Sequence, residues 1–159
     1  MKITILCVGR IKESYFNDAV REYMKRLTRY AKPEIIEVED EKTPDRASAA
    51  ENEAIKTREG AKLLARLPED AYVIALAIDG KAPDSVELAQ KIEALAGSGK
   101  SHLCFVIGGS LGLSAEVLRR ADEHLSFSRM TFPHQLMRVI LLEQIYRSFR
   151  IIRGEPYHK

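Results

Sequence analysis

The sequence predicts a single α/β domain on a mostly parallel sheet, and three observations predict it. Apolar runs of strand length alternate along the chain with amphipathic stretches of helical period. Two of those runs, Ile3 to Val8 and His102 to Ile107, are almost continuously apolar, the pattern of strands covered on both faces. No internal repeat or Pro/Gly/Ser-rich linker interrupts residues 1–159, so all of them are assigned to one domain.

The first strand ends at Gly9. Ser14 is placed to cap a helix whose Phe16, Val20, Tyr23, Leu27 and Tyr30 share one face, with Pro33 as its stop. Glu34 to Glu39 alternates around Ile35, Ile36 and Val38 as a second strand. The polar loop Asp40 to Ala47 is the expected mobile segment, and Ser48 opens a helix to about Leu67. Ala71 to Ile78 is the most strand-like run and ends on Asp79-Gly80-Lys81. Ser85 is placed to cap the next helix, which closes at Gly97-Ser98-Gly99. The strand His102 to Ile107 runs into Gly108-Gly109-Ser110, Ser114 caps a short helix to about Ala121, and Leu125 to Ser128 makes a last short strand. Phe127 to Phe132 is read as extended and Pro133-His134 as a break. Leu136, Val139, Ile140, Leu142, Ile145, Tyr146 and Phe149 then recur at the spacing of a long final helix.

Hydrophobic residues at 45% and charged residues at 30% describe a globular chain, long enough at 159 residues to bury a core without disulfides or metals. Cys7 and Cys104 sit in apolar runs as small buried hydrophobes, and the four histidines are too scattered for a metal site. The opening MKITILCVG is too short an apolar run for a signal peptide or membrane span, which predicts a cytoplasmic protein with no membrane partner. The net charge of +2 hides a division: residues 10–32 carry seven Lys/Arg against three Asp/Glu, 34–59 four against nine, and 129–159 six against two. If the two basic segments meet in space, they form a surface suited to phosphates.

Three features point to chemistry. In an open parallel sheet ligands bind beyond the carboxyl ends of the strands, which here gathers Leu76 to Gly80, Ile107 to Ser110 and Phe127 to Phe132 around one crevice. The glycines after the fourth strand match neither G-x-G-x-x-G nor G-x-x-x-x-G-K-[ST], so the ligand expected there is read by backbone groups and lacks phosphate. Arg138 falls in the middle of the most apolar face of the last helix, where a permanent charge must be paired inside the fold or reach a site or partner chain. Finally, the tail Arg153-Gly154-Glu155-Pro156-Tyr157-His158-Lys159 sets groups that stack on a base, contact phosphate and move a proton side by side.

ILCVGR near the start, FVIGGSLGL, LSFSRMTFPHQLMRVILLEQIYRSF and the closing RGEPYHK resemble, in order and across the whole chain, the RlmH family. These small SPOUT-class methyltransferases modify N3 of a pseudouridine in a loop of 23S ribosomal RNA, preferentially on the assembled ribosome. Cys7 stands where the family has Ala. The resemblance implies a Rossmann-like sheet with a C-terminal trefoil knot, S-adenosyl-L-methionine as cofactor, and a homodimer with the knot helix at its interface. It places cofactor contacts on Leu76, Gly108, Phe127, Ser128, Arg129, Met130, Thr131 and Phe132, mainly through backbone groups, and Arg138 near the cofactor and the subunit boundary. On that basis Tyr157 and His158 of one subunit are expected to close over the other's cofactor, His158 to accept or relay a proton and Tyr157 to position the base. Arg138, Arg153 and Lys159 are expected to hold RNA phosphates or stabilise negative charge developing on the base. The rival readings are a non-catalytic RNA-binding module and a nucleotide-binding enzyme of another class. Affinity for S-adenosylmethionine over NAD or ATP separates them.

Overall fold

The computed structural model describes residues 1–159. Strands and helices alternate: β1 (Lys2–Val8), α1 (Ser14–Leu27), β2 (Lys32–Val38), α2 (Ala49–Arg66), β3 (Tyr72–Lys81), α3 (Ser85–Gly97), β4 (His102–Ile107), α4 (Ala115–Arg120), β5 (Glu123–Leu125) and α5 (His134–Ile152). The sheet order is β2-β1-β4-β3-β5, and all four pairings are parallel.

Because side chains alternate across a strand, the apolar runs of β1 and β4 serve two cores at once. Ile3, Ile5 and Cys7 join Leu103, Phe105 and Ile107 on the face covered by α1, α3 and α5. Leu6 and Val8 join Cys104 and Val106 on the face covered by α2 and α4, where Leu63 and Val117 close the core. The two thiols are therefore buried on opposite faces, and burial pushes each up to about 12, which makes them inert packing groups. On the first face Leu141, Leu142 and Ile145 of α5 are fully buried, so truncating any of them costs about 2–5 kcal/mol.

Ser48 and Ser114 cap α2 and α4 as expected, accepting from the N–H of Glu51 at 3.1 Å and of Val117 at 3.3 Å. Other local expectations are corrected. Ser14 is the first residue of α1; Glu13 holds the cap position without a side-chain bond, and the helix ends at Leu27 rather than running to Tyr30. Pro33 lies inside β2, harmless there because β2 is an edge strand and a missing N–H costs no inner ladder bond. Asp84, not Ser85, caps α3: it accepts from the N–H of Glu87 at 2.8 Å while Glu87 accepts from its N–H at 2.7 Å. Ser85 instead donates to Gln144 of α5 at 2.7 Å. The third strand continues through Asp79-Gly80 to Lys81, where it pairs again with Leu125 after a register shift. Consequently β5 is Glu123–Leu125, not Leu125 to Ser128, and Phe127 to Phe132 is a bent connection rather than a strand. No helix is long and apolar enough to cross a membrane.

Candidate active site

Since β4, β3 and β5 are neighbours running the same way, their carboxyl ends open on one side of the sheet. There the loop after β4, the end of β3 and the connection from β5 to α5 enclose a cleft of about 680 Å³. Of the candidate cofactor residues, Leu76, Gly108, Phe127, Ser128, Met130, Thr131 and Phe132 all line it, whereas Arg129 is exposed and does not. The connection is pinned by its own hydroxyls: Ser126 Oγ donates to the Ser128 carbonyl at 3.1 Å, and Ser128 Oγ accepts from the Met130 N–H at 3.0 Å. Gly108 is needed for close approach, because a Cβ on it would lie 2.7 Å from the backbone carbon of Gly112.

A cleft of this volume suits a ligand of nucleoside size. Apolar side chains such as Ile78, Ile107, Leu125 and Met137 offer surfaces for a flat ring, and the strand ends offer backbone donors and acceptors. No Lys or Arg lines it, so the donor set matches an uncharged adenosyl group better than a phosphate.

Sequence reasoning missed His134, which opens α5 and lines the cleft. Its place after Pro133 marks it in the sequence only as part of a chain break. The signal lay in its position, since the first residue of a helix that follows a ligand-facing connection borders the same space. Burial first, then the Arg138 guanidinium, holds its imidazole below the ordinary histidine value and hence neutral at physiological pH.

Arg138 sits one turn further along α5, 2% exposed, and does not line the cleft. Its guanidinium donates to Glu37 at 2.6 Å and to the Gly9 carbonyl at 3.1 Å, and Nε has no partner. The structure thus realises the paired-inside-the-fold alternative for this residue.

The tail leaves the far end of α5 and turns back along it, so that Tyr157 and His158 lie against Glu143, Tyr146 and Arg147 in the middle of that helix, and neither lines the cleft. Tyr157 packs edge-on against Tyr146, lies under Arg147 and donates to Glu143 at 3.1 Å. Burial and that carboxylate push its phenol up to about 12, so it acts as a neutral donor. His158 is exposed, with Nδ1 3.2 Å from Arg147. Just before them, Glu155 accepts from Tyr30 at 2.9 Å and pairs with Arg150; the Tyr30 hydrogen bond first, then Arg29 and Arg150, holds its carboxyl below the usual range.

The two basic segments do meet. Through the packing of α1 on α5, Arg26 lies over Tyr23 and Tyr146, Arg29 and Arg153 lie over Tyr30, and Arg147 over Tyr157. Interleaved guanidinium and aromatic groups of this kind suit both phosphate contact and base stacking. Lys159 extends the same exposed basic end.

A family model described as "Predicted SPOUT methyltransferase" matches residues 1–158. The chain is 58% identical over 159 residues to a protein of Listeria monocytogenes called Ribosomal RNA large subunit methyltransferase H, covering 100% of both. Proteins of the same name from Bacillus pumilus and Clostridioides difficile are 58% and 60% identical over the same length, again covering 100% of both chains. Among solved structures, a probable methylase family protein from Haemophilus influenzae is similar with a TM-score of 0.54 and 14% identity, covering 96% of this chain and 66% of that one. At that identity the likeness shows the fold alone.

Proposed function

The chain belongs to the SPOUT methyltransferase family and, within it, to the large-subunit ribosomal RNA methyltransferases H, and from that membership we propose that it methylates N3 of a pseudouridine in a 23S ribosomal RNA loop, using S-adenosyl-L-methionine. The observation that carries the reading is the convergence of Leu76, Gly108 and the connection Phe127 to Phe132 on one backbone-lined cleft without a cationic wall. The C-terminal trefoil knot of the class belongs to the same proposal, with α5 as the knot helix at the boundary of a homodimer. So does preference for the assembled ribosome in the cytoplasm.

In this reading Leu76, Gly108 and the 127–132 segment hold the adenine and ribose, mainly through backbone groups, while Arg129 reaches outward. When bound, S-adenosylmethionine supplies a methyl carbon activated by the adjoining positive charge. The protein's own tasks are to align the base with it and to remove one proton, because the N3 imide is a poor nucleophile while protonated. As the family resemblance implies, Tyr157 and His158 act on the cleft of the other subunit, Tyr157 donating its hydrogen bond to orient the base and His158 accepting or relaying the proton. Arg153 and Lys159 contact RNA phosphates together with the α1 arginines. Arg138, buried and paired, acts at one remove by fixing the first turn of α5 against Gly9 and Glu37.

The test is transfer of labelled methyl from S-adenosylmethionine to intact ribosomes, free large subunits and naked ribosomal RNA from cells lacking this protein, with mapping of the product. Label on N3 of one pseudouridine, strongest with intact ribosomes, is expected. A folded protein that binds the RNA but transfers no label to any of the three would instead support a non-catalytic binding module.

A further inference from the structure

We infer that His134 is the group that first takes the N3 proton of the target base. The inference rests on the methyltransferase reading above and deepens it.

Three observations carry it. Among all the residues lining the cleft, His134 has the only ionisable side chain. Everything else there is apolar, a hydroxyl, a thioether or backbone, none of which takes a proton near neutral pH. Second, the same imidazole also lines a smaller polar depression of about 270 Å³, so it forms the partition between the cleft and a charged surface. Third, its Nε2 faces Gly9, 3.5 Å from where a Cβ there would stand, and the Asp40 carboxyl carbon flanks that same position at 3.9 Å. The residue therefore borders both the substrate space and the depression, with Nε2 on the Gly9 and Asp40 side.

The surroundings suit an acceptor. The charged groups around the ring are Arg138 on its own helix, Lys12 before α1, Asp40 after β2, and Arg10, Glu37 and Glu39 at the rim of the depression. Glu37 is engaged by Arg138, and Asp40 is the group that opposes the neutral form. Burial, Arg138, Lys12 and the positive N-terminus of α5 all favour neutral imidazole before the reaction. A neutral ring is free to accept.

The step balances. The N3–H bond breaks and its proton goes to an imidazole nitrogen. The N3 lone pair forms the bond to the methyl carbon, and the carbon–sulfur bond breaks with its electron pair left on sulfur, cancelling the sulfonium charge. The imidazolium then loses its proton through the Asp40 side to water. His158 of the other subunit keeps the roles of cover and relay.

The experiment compares wild-type, H134Q and H158Q dimers on ribosomes over pH 5–9 in single turnover. Calorimetric binding of S-adenosylmethionine and NMR titration of the imidazoles provide readouts independent of transfer. His134 is expected to titrate below the ordinary histidine value of about 6.5. Wild-type transfer should rise to a plateau through that same inflection. H134Q should bind cofactor normally, transfer about 100-fold or more slowly, and lose the inflection, which H158Q retains. Should H134Q fail to fold or to bind cofactor, H134A with added imidazole decides: restored transfer sustains the inference and no restoration overturns it. An H134Q rate and pH profile equal to wild type would also overturn it, leaving methyl transfer itself intact. Absence of transfer by wild type would instead remove the reading beneath it.

Discussion

Arg138 on α5 and Glu37 on β2, 101 residues apart in sequence, form a 2.6 Å ion pair that ties the start of the last helix to the carboxyl end of the sheet. The pair is unequal. Arg138 is 2% exposed at its side chain and Glu37 38%, so the cation is sequestered and the anion partly hydrated.

Removing the two partners should therefore have unequal costs. Glu37→Gln strands a buried guanidinium and is expected to destabilise by about 1–3 kcal/mol, below the fully buried case because water reaches the glutamate. Arg138→Met leaves a carboxylate that rehydrates, and should cost less, within about 1 kcal/mol. Urea unfolding at one fixed chain concentration checks this, and a costlier Arg138→Met would contradict it.

Two glycine substitutions should move in opposite directions. In Gly108→Ala the new Cβ would meet backbone of Gly112 at 2.7 Å, so the loop must shift and cofactor affinity should fall at least about tenfold. In Gly97→Ala at the end of α3 the Cβ meets nothing within 4 Å, and the better helix former should add about 0.5–1 kcal/mol. Calorimetry and thermal unfolding read the pair together.

Glu59 of α2 is buried beside Gly109, and its carboxyl is raised above the usual range, first by burial and then by Asp40 and Glu41. For a carboxyl with a raised folded-state value, the protonated form favours folding. That stability is present below the unfolded-state value of about 4.3 and is lost as pH rises through the folded-state value. Glu59→Gln should consequently raise the melting temperature at pH 7 and have a smaller effect near pH 4. Equal shifts at both would show that the carboxyl ionises there without penalty.

Truncation after Glu155 removes Tyr157 and His158 but keeps the Tyr30–Glu155–Arg150 anchor. The shortened chain should stay folded, dimeric and able to bind S-adenosylmethionine, and should transfer no methyl group. Full transfer by it would sink the tail's role.

The element order and the meeting of three strand ends were legible because both follow from periodicity and from the rule for parallel sheets. Local errors have local causes. Ser85 drew attention as a cap although Asp84 has Glu87 three residues on, the reciprocal arrangement that decides the matter. A three-residue strand with two polar side chains, Glu123 and His124, carries no periodic signal; its place is set by pairing with β3. Pro33 reads as a stop unless one knows that β2 lies at an edge. Arg138 announced itself by breaking an apolar face, but its partner Glu37 could not be named without the fold. His134 leaves no mark on periodic spacing, and only its place as the first residue of a helix after the ligand-facing connection points to it.

The central claim is that each active site combines one subunit's cleft with the other subunit's tail. Mixed dimers test it most directly, pairing a chain truncated after Glu155 with a full-length chain carrying Gly108→Ala. With cofactor held well below the weakened affinity of the Gly108→Ala cleft, each parent homodimer should transfer little or no methyl, and the mixed dimer should regain transfer at one of its two sites, about half the wild-type rate, because the intact cleft and intact tail then meet across the boundary. Mixed dimers as inactive as their parents, with the truncated chain still binding cofactor, would contradict it.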